Sequence, residues 1–172
     1  VQTTQTLGIQ PPDIHHLNAA IGWLGLGCAA DARLELENIS VEYLNHTEVL
    51  ETRWLLCTEE KNWEAALEIA NAEIRQAPED AGGWLHRAYA LRRSSQGGLI
   101  MAWGALLPAA QKFPNEPVIA YNLSCYACQL KFLEKARDWF KQAVKIGNKE
   151  ELKKMALLDD DLQALWQEIK LL

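Results

Sequence analysis

Cys125 and Cys128, in the run CYAC, are spaced as a thiol pair that could cycle as a disulfide or give two ligands to zinc. A redox pair normally opens a helix, where the dipole lowers the thiol pKa, whereas these two lie within an apolar helical pattern. Zinc would need two more ligands, and Cys28, Cys57, His15, His16 and His46 fall in distant parts of the chain. The thiols are therefore read as small apolar residues that let helices approach, and neither metal nor cofactor is expected. No Gly-rich phosphate loop or nucleophile elbow occurs, so the expectation is a non-enzyme.

The other candidates are charged or amide side chains suited to binding. His86, Arg87, Arg92 and Arg93 form a basic cluster in a chain of 172 residues and net charge -6, while Asp31 to Glu60 carries eight acidic residues against Arg33 and Arg53. A surface polarised in this way would turn the negative end of a ligand toward the later part of the chain. Arginines in the last turn of a helix also complement its dipole, which is the structural reading of the same cluster. The acid excess argues against general nucleic-acid binding. The longest apolar stretch, Gly98 to Ala110, is too short to span a bilayer and contains Pro108. The opening VQTTQTLGIQPP lacks the basic start and apolar run of a signal peptide, so the expected location is cytoplasmic.

Helices must position these residues. Pro11 and Pro12 end anything upstream, and Asp13 is placed to cap a first helix running to about Leu26. A second starts near Ala29, with Ala32, Leu36 and Ile39 on one face. Thr47 caps a third, striped by Leu50, Trp54 and Cys57, and a fourth spans Trp63 to Ala77. The fifth, about Asp80 to Arg93, carries Trp84, Ala88 and Leu91 and ends in the turn SSQGG. A sixth reaches Phe113 with Pro108 inside, where a kink is expected. Asn115 to Gly147 reads as two more antiparallel helices. The tryptophans at 23, 54, 63, 84, 103, 139 and 166 are assigned to core packing, Trp139 alone being placed to face a partner.

The second helices repeat. Ala32, Ala66, Ala102 and Ala136 follow one another at 34, 36 and 34 residues, and the two extra residues fall in SSQGG. Four positions on stand Leu36, Ala70, Leu106 and Phe140, and Pro78, Pro114 and Gly147 close successive units. A helix-turn-helix period of this length resembles the tetratricopeptide repeat family. Trp84, Ala88, Ala102, Ala109 and Pro114 carry the match in one repeat, and Leu123, Ser124, Ala136, Phe140 and Ala143 in the next. The earlier repeats depart from the pattern at Trp54 and Glu73.

The resemblance, over roughly Asp13 to Gly147, implies an all-α fold: a right-handed solenoid of about four antiparallel helix pairs. Residues 1–12 form a disordered or extended leader and 13–147 the repeat domain. Residues 148–172 supply capping helices of the same domain, with Lys149 to Leu157 as one helix and Asp159 to Asp161 starting another that carries Leu162, Leu165, Trp166 and Ile169. The resemblance further implies that the first helices line a concave face holding an extended peptide. Alignment puts Asn18, Thr52, His86 and Asn122 in one column, with Ile21, Leu55, Tyr89 and Cys125 next and Leu24, Thr58, Arg92 and Cys128 a turn on. Asn122 stands where peptide-binding members hold the ligand main chain. The candidate ligand set is His86, Tyr89, Arg92, Arg93, Tyr121, Asn122, Cys125 and Gln129. Glu51, Leu55 and Val118 occupy positions that are basic or amide in members binding chaperone tails, so that specificity is not implied. The expected role is a protein-interaction scaffold for a peptide or protein partner, as a monomer or weak homodimer. The alternative is a structural or oligomerisation unit using the terminal helix or the convex face.

Overall fold

Turn chemistry decides where each helix stops. In the computed structural model, residues 8–172 are described, and every regular element among them is helical. The chain divides into two compact units, one ending at Pro78 and the other running from Glu79 to Leu172. Among the described residues, no helix is long and apolar enough to cross a membrane.

The first unit contains α1 (Asp13–Gly25), α2 (Ala29–Glu37), a 3-10 turn at Val41–Tyr43, α3 (Thr47–Glu59) and α4 (Trp63–Gln76). α1 pairs with α2 and α3 with α4, and Leu17, Ala20, Ala32, Leu36, Ile39, Val49 and Leu56 share one core. Of the leader, residues 1–7 lie outside the described residues, while Ile9 is buried in this core. Trp54 is buried, but Trp23 is 37% exposed and so departs from the core assignment.

Asp13 does not cap α1, which begins after Pro12 with no side-chain cap. Its carboxylate is instead 4% exposed and accepts bonds from the Ser40 backbone N–H and, at 3.1 Å, the Ser40 hydroxyl. The Ser40 N–H is the main cause holding the Asp13 carboxyl below its ordinary range. The tie therefore contributes fully above the unfolded carboxylate pKa of about 3.9 and fades as pH falls through the lower folded value. Thermal melts from pH 7 to pH 2 should show Asp13→Asn less stable than the wild type near neutrality and the two converging in acid. A gap that is constant with pH would rule the linkage out.

The second unit contains α5 (Gly82–Arg93), α6 (Leu99–Lys112), α7 (Pro117–Gln129), α8 (Leu133–Ile146), α9 (Lys149–Ala156), a 3-10 turn at Asp160–Leu165 and α10 (Trp166–Lys170). α7 is buried almost continuously from Ile119 to Cys128, because α6, α8 and the terminal 3-10 turn all pack on it. A helix apolar on every side can only be a central element. Small residues permit the close approach: Ala102, Ala109, Ala127, Ala136 and Ala143 are fully buried, and the Ser124 hydroxyl donates to the Ala136 carbonyl at 2.7 Å.

Three hairpins share one closure. Cys28 N–H bonds Trp23 O, Asn62 N–H bonds Cys57 O and Phe132 N–H bonds Ala127 O, each spanning five residues and each with a left-handed residue in the turn, Gly27, Lys61 or Lys131. In the α5–α6 hairpin the matching bond runs from Gly98 N–H to Leu91 O and spans seven. Seven less five is the two-residue surplus of the 36-residue interval, located in SSQGG.

The tail from Lys149 to Lys170 is helical, with one local difference from the expected elements. Asp159 accepts from Asp161 N–H at 3.0 Å and opens a 3-10 turn before the short α10, where a single α-helix was expected. Leu162, Leu165 and Ile169 from this segment join the main core, and the Trp166 indole donates to Ala156 O at 2.8 Å.

Candidate protein-interaction face

The i, i+4 and i+8 positions of α7 put Tyr121, Cys125 and Gln129 on one stripe, and Arg92 approaches it from the last turn of α5. The terminal segment lies against these four side chains. Arg92 engages Asp161 with both terminal nitrogens, Nη1 to Oδ2 and Nη2 to Oδ1, the latter at 2.8 Å. Tyr121 donates its hydroxyl to Asp159 Oδ2 at 3.0 Å, and Cys125 donates its thiol to the same oxygen at 3.5 Å. Gln129 Nε2 donates to the Asp161 backbone carbonyl at 3.1 Å. Leu162, next in sequence, is fully buried.

The electrostatics follow from this arrangement. The Asp161 hydrogen bond raises the Arg92 pKa, and the Arg92 guanidinium also sits 5.6 Å from the Tyr126 ring centroid. Burial pushes the Tyr126 phenol up to about 12, against the pull of Arg92. Burial first and the Asp159 carboxylate second push the Cys125 thiol well up, and burial raises Cys128. Burial thus favours the neutral form of both thiols. Among the described residues, no group of three or more His, Cys, Asp and Glu is placed to hold a metal ion.

Four of the eight candidates therefore converge on the chain's own Asp159 and Asp161. The others stand elsewhere on the two helices. Asn122 donates to Val118 O of its own helix at 2.9 Å, so its amide nitrogen is engaged. Arg93 lies with its guanidinium carbon 3.5 Å from the Tyr89 ring centroid and donates to the Tyr89 carbonyl at 3.2 Å. Tyr89 is 37% exposed, and His86 is partly buried. The basic cluster is divided as well, since Arg87 covers the Trp84 ring at 4.8 Å and donates to Ala105 O. Thr52, aligned with Asn122, is 3% exposed and bonds back to Glu48 O, which makes it a core residue of the first unit.

In the sequence, Asp159 and Asp161 stand only as the start of a helix. Nothing local in the sequence pairs them with Arg92, which is 69 residues from Asp161. Their spacing of two was the available signal, since alternate residues of an extended segment face the same side and Asp159 is extended.

No protein-family model matches the chain, and no curated protein matches its sequence. Among solved structures it is similar to the MamA RS-1 ArsTM double mutant, at 17% identity and a TM-score of 0.67, covering 80% of this chain and 76% of that one. MamA is a TPR-like protein. The likeness establishes the fold: the chain is an all-helical protein of the TPR-like class, built from tandem helix pairs.

Proposed function

We propose that the chain is a non-catalytic interaction scaffold that holds a peptide or protein segment on the face formed by α5 and α7, with His86, Tyr89, Arg93 and Asn122 as contacts on its solvent side. One observation carries this reading. The same face already receives a protein segment through side-chain bonds to two carboxylates and one backbone carbonyl. Rigid helices prearrange those donors, so little ordering cost falls on the scaffold. The reading includes neither nucleic acid nor a cofactor, and it places the protein in the cytoplasm.

Peptides selected from a random display library on the wild-type protein should bind a Tyr89→Ala/Asn122→Ala variant at least about tenfold more weakly, as expected for removal of interface anchors. Recovery of no peptide, or equal affinity for both proteins, would sink the proposal. A second reading, assembly through the second helices, draws on one cluster in the same unit. Phe132 is 41% exposed and Met101 49%, and the Phe132 ring lies 5.6 Å from that of Trp103. Light scattering of Phe132→Ser against wild type tests it, since loss of a dimer would favour assembly.

A further inference from the structure

We infer that the α5–α7 face is a recognition site for an acidic segment of the pattern Asp-x-Asp-Leu, that Asp159–Leu162 is the resident copy, and that a partner docks by presenting the same pattern in its place. This rests on the scaffold reading above and names the chemistry of its partner.

Each element of the pattern has its own receiver. The first carboxylate takes the Tyr121 hydroxyl and the Cys125 thiol on one oxygen and the Asp161 N–H on the other. The second takes both ends of the Arg92 guanidinium, a fork that fits a carboxylate and no neutral amide equally well. Gln129 reads the main-chain carbonyl between the second acid and the leucine, which fixes register. The middle position, Asp160, is exposed and contributes no such bond, so it is free to vary. Leu162 is fully buried in the apolar floor. The resident copy enters from Leu158, which is 86% exposed and marks the break between α9 and the 3-10 turn.

Tethering gives the resident copy an effective concentration on the order of millimolar, so a free segment at micromolar concentration does not displace it. Weakening the resident opens the face. A fluorescein-labelled peptide of residues 157–165, LLDDDLQAL, titrated into full-length protein, should bind an Asp159→Asn/Asp161→Asn variant at least about tenfold tighter than wild type, the gain that removing a tethered competitor permits. Adding Arg92→Gln should cancel the gain, and a peptide with Asn at both acidic positions should show none. Equal binding to wild type and variant, or a gain that survives Arg92→Gln, overturns the proposal. Circular dichroism verifies that each variant keeps its helices. Should the double variant unfold, Asp161→Asn alone, which retains all three contacts of the Asp159 carboxylate, is titrated instead, and no gain there is equally fatal. If the tail peptide fails while display-selected peptides still bind through Tyr89 and Asn122, this inference falls and the scaffold reading stands.

Discussion

Leu162→Ala is expected to destabilise the second unit by about 2–5 kcal/mol, the range for deleting a fully enclosed leucine. Leu162 is 0% exposed and belongs to the core shared by α7, α8 and the terminal segment. The side chain has no local helix to fall back on, because it sits in a 3-10 turn whose place depends on tertiary contacts. The void left behind therefore cannot close without moving the turn, and moving the turn draws Asp161 from Arg92. Urea unfolding of wild type and variant measures the loss. A second readout is the rate of Cys125 labelling by a thiol reagent, since Cys125 is 3% exposed beneath the Asp159 segment. Faster labelling together with lower stability means that the terminal segment covers the face. A stability change below about 1 kcal/mol, less than any large-to-small core substitution of this kind, would mean that it does not.

Gly97→Ala should cost about 3 kcal/mol, the upper part of the range for inserting a methyl group where there is no space. A Cβ at Gly97 would stand 1.9 Å from the Leu91 carbonyl oxygen and 2.5 Å from Ser94 Oγ. The carbonyl is backbone, and it accepts the Gly98 N–H that closes the α5–α6 hairpin. It cannot yield without breaking that closure. Gly98 tightens the constraint with a φ of +123°, a conformation that side-chain-bearing residues rarely adopt. Gly104, within α6, is the control. A Cβ there meets nothing within 4 Å, so Gly104→Ala should stabilise by about 0.5–1 kcal/mol through helix propensity alone. Chemical denaturation of the two variants checks the opposite signs, and similar effects from both would refute the steric argument.

The TPR-like class was legible because it depends on local patterns that repeat. Alanines at nearly constant intervals, apolar residues four further on and closing prolines all act within one helix or between chain neighbours. Their structural counterparts are the buried Ala102, Leu106, Ala136 and Phe140 and the recurring hairpin closures. Even the irregular interval had a local cause in SSQGG. The helical character of the tail and the burial of its Leu162, Leu165 and Ile169 followed from the same kind of spacing.

Partnership between distant polar residues was not legible in this way. Arg92 lies in the last turn of α5, where dipole complementarity explains a cation without any partner, and Asp159 and Asp161 lie where a helix start explains acids equally well. Each had a sufficient local reason, so the sequence held no unexplained charge to pair. Asp13 misled similarly: its position suited a cap, yet packing of α1 against the segment after α2 brought Ser40 to it. The sequence by itself thus determined the helices, their pairing and the apolar faces they bury. The tertiary structure decided which polar groups meet, because a hydrogen bond requires two groups within about 3 Å and only the assembled packing sets that distance.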